Sequence, residues 1–158
     1  MDKKLAQRKH FPSVNWTQST SNYERQLDPY FDNFDSEFST LRTQFKSILQ
    51  EEAELQEIVQ LVGRDSLSED QKLILETAKV IREDFLQQDA YSEYDFMSPL
   101  FKTTGMMRCI CTYYNCARKA ILESSADNKI GWNLILNQTK NQFIKLSQMK
   151  FESPKKSK

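Results

Sequence analysis

The chain has few glycines, and the three that it has, Gly63, Gly105 and Gly131, stand apart from one another. A phosphate-binding loop of the pattern G-x-x-x-x-G-K-[ST] needs clustered glycines, because its backbone amides must approach the phosphates closely. No match to this pattern exists, so we expect no ATP hydrolysis by this chain alone. Histidine is scarcer still, since His10 is the only one, and we therefore expect no His-paired nucleophile. The sequence predicts no catalytic residue.

Long apolar runs are also absent. A membrane-spanning helix needs about 20 consecutive apolar residues, and the N-terminal MDKKLAQRKH lacks the apolar core of a signal peptide. Charge of one sign is not in excess either, because 22 Lys and Arg residues balance 22 Asp and Glu residues. A balanced chain creates no overall field that would draw it to nucleic acid or to an anionic membrane. We expect one soluble domain of 158 residues with neither kind of partner.

Cysteine is limited to Cys109, Cys111 and Cys116, all within one predicted helix. An odd number of clustered thiols does not suggest a disulfide framework, and it favours a reducing compartment. The spacing C-x-C-x4-C distributes the thiols over different faces of a helix, and His10 is distant in the sequence. We therefore expect no metal site, and we interpret the three cysteines as small buried apolar residues.

The most informative stretch runs from Glu57 to Leu86. Its first part carries Ile58, Leu61 and Val62 at helical spacing, and Gly63 follows at once. Because glycine adopts a positive φ at little cost, it commonly ends a helix. We predict that one helix ends at Gly63.

A second helix is predicted to begin near Ser68. The pairs Ser66 with Glu69 and Ser68 with Gln71 both match the capping box, in which two side chains satisfy free amides at a helix start. The helix then carries an apolar stripe at intervals of four, three and four residues: Ile74, Ala78, Ile81 and Phe85. The two helices form an antiparallel hairpin whose polar tip extends from Arg64 to Asp70.

Three more helices follow from apolar periodicity. The predicted ranges are Ser36–Glu52, capped by Asp35 or Ser36; Pro99–Ser124; and a last helix from Trp132 to Met149, after a break at DNKIG. The acidic run Glu51, Glu52 and Glu54 is interpreted as a solvated face. We thus predict an all-α helical bundle containing the hairpin.

The N-terminal part is predicted to be less regular. Lys3–Arg8 is interpreted as a frayed end, and the segment around Pro12 as a short extended stretch that leaves Phe11, Val14 and Trp16 partly exposed. Thr17–Asn22 consists of polar turn formers. Further along, we expect Pro29 to interrupt any helix.

The tip GRDSLSEDQK is similar to the DELSEED loop of rotary ATPases. The flanking EIVQLVG and AKVIREDFLQQ resemble the catalytic A subunits of V-type ATPases rather than the F-type beta subunits. Other similar stretches are RKHFPSVNW, LRTQFKSILQEE, DNKIGWNLI and LSQMKF. The resemblance covers roughly Lys3 to Phe151. It implies a C-terminal helical domain over 17–151, with 1–16 as a remnant of the link to a nucleotide-binding domain and 152–158 as a disordered basic tail.

The resemblance also implies a function. The chain would contribute to ATP-driven proton transport only within the complex, as a rotary-motor part whose partners are the central stalk subunits and the B subunit. ATP and magnesium would be bound by the full protein, with no cofactor in this chain. The location would be cytoplasmic and peripheral to endomembranes. The residues implied in rotor contact are Arg64, Asp65, Ser66, Leu67, Ser68, Glu69 and Asp70.

Two alternatives stay open. The chain could be a non-catalytic paralogue that acts as an interaction or assembly module for V-type ATPase subunits, or a remnant without function.

In the family, a segment close to RFCPFYKT places an aromatic ring against the adenine of the nucleotide. This sequence reads FMSPLFKT there, so the resemblance assigns Met97, Leu100 and Phe101 to an adenine pocket, and only Phe101 keeps an aromatic side chain.

Overall fold

The computed structural model describes residues 3–7, 13–124 and 130–154, and these ranges contain helices and no β-strand. The all-α prediction is confirmed. The α-helices are α1 (Lys3–Gln7), α2 (Glu24–Phe34), α3 (Phe38–Val62), α4 (Glu69–Val80), α5 (Leu100–Leu122), α6 (Trp132–Gln138) and α7 (Lys140–Gln148). Arg64–Ser66 and Met149–Phe151 form 3₁₀ turns, and Ile81–Leu86 continues α4 as a π-helix.

Helix α4 lies at the centre of the core, between α3, α5 and α6. Leu73, Ile74 and Leu75 are buried in succession, and Leu73 and Ala78 have no exposed surface. A helix that is buried on nearly all sides needs apolar residues around most of its circumference. The predicted stripe is confirmed, since Ile74, Ala78 and Ile81 are buried and Phe85 packs edge-to-face on Phe45 of α3, with ring centroids 5.2 Å apart.

Helix α3 is longer than predicted. We expected one helix to end at Glu52, but α3 runs without a break to Val62, because neither glycine nor proline interrupts it. The interpretation of the acidic run as a solvated face is wrong for Glu52, which is buried and lies 2.8 Å from the guanidinium of Arg82. A buried carboxylate needs such a partner. Glu54 is exposed as expected.

The two predicted ends of the hairpin turn are confirmed. Gly63 follows the last residue of α3 with φ 82° and ψ 164°. At the start of α4, the Ser68 hydroxyl accepts from the Gln71 amide at 3.4 Å, and the Gln71 side chain accepts from the Ser68 amide at 3.0 Å. The second predicted capping box is wrong, because the Ser66 hydroxyl donates instead to the carbonyl of Val62.

Pro29 does not interrupt a helix, contrary to expectation, and lies in the middle of α2. The residue four positions earlier, Arg25, is exposed, so water can satisfy the carbonyl that proline leaves without a donor. Tertiary contacts also hold α2 in place. Asp28 accepts from Arg42 of α3 at 2.9 Å, and the rings of Phe31 and Phe38 stack at 4.6 Å.

The last predicted helix is in fact two helices. Thr139 separates α6 from α7, and its hydroxyl bonds to the carbonyl of Ile135 at 2.7 Å and to the hydroxyl of Tyr113 at 2.8 Å. A threonine hydroxyl that bonds back to the preceding turn competes with regular helix geometry. The prediction of one continuous helix from Trp132 to Met149 is therefore wrong.

The N-terminal region is partly as predicted. Lys3–Gln7 is helical rather than frayed. Residues 13–15 have no regular secondary structure. The predicted partial exposure holds for Val14, which is exposed, and for Trp16, which packs partly against the core. Phe11 and Pro12, the Asp127–Lys129 part of the expected break, and residues 155–158 of the tail lie outside the described residues.

Two glycine substitutions test the helix end at Gly63. We expect Gly63→Ala to lower the free energy of unfolding by about 1–3 kcal/mol, because an alanine side chain is strained at this positive φ. The matched control is Gly105→Ala inside α5, where an added Cβ has no neighbour within 4 Å. The control should raise stability by about 0.5–1 kcal/mol. Urea titrations measure both, and a stabilising Gly63→Ala would contradict the assigned backbone conformation.

Candidate functional site

The seven residues of the hairpin tip do not share one environment. Arg64, Asp65, Ser66 and Ser68 are exposed, whereas Leu67 is buried in the core. Glu69 and Asp70 are half-buried. The tip therefore has exposed residues, Arg64–Ser66 and Ser68, and three residues that pack into the domain: Leu67, Glu69 and Asp70.

Glu69 connects the start of α4 to the start of α6. Its carboxylate accepts from the backbone amide of Trp132 at 2.6 Å and from the ammonium of Lys72 at 2.7 Å. The bond from Lys72, followed by the bond from the Trp132 amide, holds the pKa of Glu69 below its usual range. Glu69 also packs closely on Gly131, the residue before Trp132. A Cβ added at Gly131 would lie 3.1 Å from a carboxylate oxygen of Glu69. Glu69 therefore caps another helix of the same domain.

Asp70 contacts a different helix, through an ion pair and not as a cap. It lies 3.3 Å from the guanidinium of Arg118 on α5, and that guanidinium also covers the ring of Tyr114 at 5.9 Å. Together with the buried Leu67, these contacts fix the first turn of α4 against α5 and α6. Leu67, Glu69 and Asp70 thus have partners inside the domain, which the sequence did not indicate.

The exposed residues of the tip are held more loosely. Arg64 pairs with Glu76 of α4 at 3.1 Å, but the Arg64 side chain remains 65% exposed. An exposed ion pair of this kind contributes about 0–1 kcal/mol. Arg64, Asp65 and Ser66 can therefore meet another protein without disturbing the core.

An apolar surface that helical spacing alone does not reveal lies next to this tip. Ile58, Leu61 and Val62 of α3 are 43%, 85% and 56% exposed. Helical spacing predicts that the three residues share a face of α3. Spacing does not predict whether another part of the domain covers that face, and the described residues leave it exposed. A cluster of exposed large apolar side chains often marks a site of protein contact.

The residues assigned to an adenine pocket lie at the other end of α5 from its contact with Asp70. Met97 is 76% exposed, Phe101 is 38% exposed and Leu100 is half-buried. The neighbouring Lys102 donates to the backbone carbonyls of Tyr94 and Lys150 at 2.7 Å and 2.6 Å, so its ammonium is engaged within the domain. Burial lowers the pKa of Lys102.

The cysteines differ from one another in exposure. Cys111 is buried, as expected, and burial raises the pKa of its thiol to about 11. Cys109 and Cys116 are exposed, so the expectation that all three are buried is wrong for these two. Within residues 3–7, 13–124 and 130–154, no three His, Cys, Asp or Glu side chains are grouped to hold a metal ion. No helix in those ranges is long and apolar enough to cross a bilayer.

Comparison with known proteins finds one family model and several relatives that all belong to V- or A-type ATPases or ATP synthases. A family model described as the C-terminal domain of V and A type ATP synthase matches residues 27–130. The V-type proton ATPase catalytic A subunit of Dictyostelium discoideum is 53% identical over 154 residues, which cover 98% of this chain and 25% of that protein. Isoform 1 of the corresponding Drosophila melanogaster protein is 54% identical over 158 residues, covering 99% of this chain and 26% of that protein. The Manduca sexta protein is 52% identical, covering 99% and 25%. The chain spans about a quarter of the length of these relatives.

Replacing Glu69 tests its role within the domain. We expect Glu69→Ala to lower the free energy of unfolding by about 1 kcal/mol, because the Trp132 amide loses its acceptor. Glu54→Ala, at an exposed position of α3, is the matched control and should change stability by less than about 0.5 kcal/mol. Chemical denaturation at pH 7 compares them, and equal effects would exclude the capping role.

The pH dependence of stability provides a second test of the role of Glu69. Because the pKa of Glu69 is lowered in the folded state, its carboxylate stabilises the fold above the unfolded pKa, and this contribution is lost as the pH falls through the folded pKa. Thermal melts of the unchanged chain and of Glu69→Gln should therefore differ at pH 7 and converge at acidic pH. A difference that persists at low pH would mean that the charge of Glu69 is not responsible.

Proposed function

Because the chain belongs to the family of C-terminal domains of V- and A-type ATP synthases, and corresponds to that region of the V-type catalytic A subunit, we propose that it contacts the central rotor during ATP-driven proton transport. The observation that carries the proposal is identity above 50% across nearly the whole chain with such subunits. In this role the domain transmits force and leaves the chemistry to other parts of the assembly.

Exposure of the tip supports this role. Arg64, Asp65 and Ser66 face solvent at the end of α3, while Leu67, Glu69 and Asp70 tie the start of α4 to the domain. Of the seven residues considered for rotor contact, the exposed Arg64, Asp65, Ser66 and Ser68 would touch the rotor directly. The other three would hold those four in position.

Nucleotide chemistry is assigned to the rest of the assembly. The sequence has no glycine-rich phosphate loop, so ATP and magnesium would be held by the nucleotide-binding part of the full catalytic protein. Phe101, with Met97 and Leu100 beside it, would touch an adenine only from the surface of this domain, since Phe101 and Met97 are exposed. The partners would be the central stalk subunits and the B subunit, on the cytoplasmic side of endomembranes.

Binding to a purified central stalk tests the proposal. We expect the 158-residue chain, immobilised for biolayer interferometry, to bind V-type central stalk subunits. The double variant Arg64→Ala, Asp65→Ala should bind roughly ten-fold more weakly, a change of about 1.4 kcal/mol, because both side chains are exposed at the contact. The matched control is Arg25→Ala, Asp32→Ala on the exposed surface of α2, which should bind as the unchanged chain does.

Failure to bind the stalk would contradict rotor contact. Recovery of the B subunit or assembly factors from cell extract, without the stalk, would favour the alternative of a non-catalytic assembly module. Equal weakening by the α2 control would place the contact outside the tip.

A further inference from the structure

A cavity of about 180 Å³, which we call the Asp95 cavity, lies where the N-terminal segment, the π-helix and the start of α5 meet. For comparison, a cavity of about 150 Å³ inside a protein is large enough to bind benzene. Four apolar side chains form much of the wall: Trp16, Phe85, Leu86 and Met106. Gln88 also lines the cavity and is exposed, so the cavity is open to solvent on that side.

The polar part of the wall contains a buried carboxylate. Asp95 lines the cavity and is only 3% exposed. One of its oxygens accepts from the backbone amide of Asp89 at 2.6 Å. The hydroxyls of Ser98 and Thr103, which lie 3.4 Å apart, belong to the same wall. The cavity thus combines one negative charge and two hydroxyl acceptors with an aromatic and aliphatic lining.

Asp95 has no ion-pair partner. In the part of the chain that the structure describes, no Lys or Arg nitrogen lies within 4.0 Å of this carboxylate. The charge of Asp95 acts on Lys102, but the Lys102 ammonium donates instead to the backbone carbonyls of Tyr94 and Lys150. A buried carboxylate without a paired cation is costly to the fold. A cation that entered the cavity would therefore gain a strong electrostatic partner.

We propose that the Asp95 cavity binds a small organic cation, whose flat apolar body packs against Trp16 and Phe85 and whose N–H groups donate to the Asp95 carboxylate. Amidinium, guanidinium and primary ammonium groups carry several N–H donors and no acceptor, which matches a carboxylate beside two hydroxyls. The faces of the aromatic side chains add a cation–π attraction. The size of the cavity limits the ligand to about that of a substituted benzene.

The Asp95 cavity is distinct from the two sites discussed above. Its lining, among the residues that the structure describes, includes none of Met97, Leu100 and Phe101 and none of the tip residues Arg64–Asp70. The proposal therefore goes beyond rotor contact and does not depend on it. Failure of stalk binding would leave the cation site unaffected, and the reverse also holds.

Benzamidine is a suitable probe, because its planar ring carries an amidinium and its size matches the cavity. Benzamide is the matched neutral probe, with nearly the same outline and no charge. We expect the 158-residue chain to bind benzamidine with a Kd of about 1 mM or lower, roughly ten-fold more tightly than benzamide. Amide chemical shifts measured by NMR during a titration give both affinities, and the shifts should centre on the residues that line the cavity.

Two variants test the role of the carboxylate. Asp95→Asn keeps an acceptor for the Asp89 amide and removes the charge, so it should bind benzamidine at least ten-fold more weakly. Glu93→Gln is the matched control, because it makes the same change of charge at an exposed position of the same loop, and it should bind as the unchanged chain does. Benzamidine should also raise the melting temperature of the unchanged chain and of Glu93→Gln, but not that of Asp95→Asn.

A third variant blocks the cavity and leaves Asp95 in place. Ser98→Leu, at a half-buried position of the wall, should abolish binding of benzamidine, and it tests the proposal even if Asp95→Asn does not fold. The proposal is overturned if the unchanged chain shows no saturable binding, if benzamide binds as tightly as benzamidine, or if Asp95→Asn binds as Glu93→Gln does. Full binding by Ser98→Leu would place the ligand outside the cavity and overturn the proposal as well.

Discussion

Burial of α4 on almost every side is the constraint on which the rest of the structure depends. Leu73, Ala78 and Ile81 have no exposed surface, so α3, α5 and α6 must all pack against this part of the chain. A small residue at Ala78 lets a neighbouring helix approach closely. Because so much apolar surface is buried along one helix, the position of α4 determines where the hairpin turn and the tip can lie.

The hairpin is therefore asymmetric. The start of α4 is held by the Ser68 cap, by the Glu69 bond to Trp132 and by the contact of Asp70 with Arg118. The last turn of α3 is held less firmly: Val59 packs partly against the core, but Leu61 and Val62 are 85% and 56% exposed. In a domain proposed to meet a rotor, this arrangement supplies a free contact surface on one helix and a firmly attached helix behind it. Force received at the end of α3 would pass to the π-helical continuation of α4 through the ion pair between the buried Glu52 and the half-buried Arg82.

The elements fixed by local chemistry could be predicted from the sequence. Gly63 and the Ser68 capping box depend on residues within a few positions, and both were identified. The roles of Glu52 and Glu69 could not be predicted in this way, because their partners Arg82 and Trp132 lie 30 and 63 positions away and become neighbours only in the folded chain.

The errors in the predicted helices, at Pro29 and in the last helix, also arise from contacts between distant residues. Propensity alone argues against Pro29 within a helix, yet contacts to α3 keep α2 intact. The division of the last helix is accompanied by the bond between Thr139 and Tyr113, which is also a contact between residues distant in the sequence. At the site, periodicity placed Ile58, Leu61 and Val62 on one helix, but their exposure depends on which side of α3 the other helices occupy. That relation is a property of tertiary packing.

Native-state hydrogen exchange of the 158-residue chain tests the asymmetry of the hairpin most directly. The account predicts that amides of residues 72–80 in α4 exchange only through global unfolding, whereas amides of residues 61–66 exchange through local opening at a much lower free energy. Equal protection of both segments, or faster exchange at the start of α4 than at the end of α3, would contradict a fixed α4 behind a free contact surface.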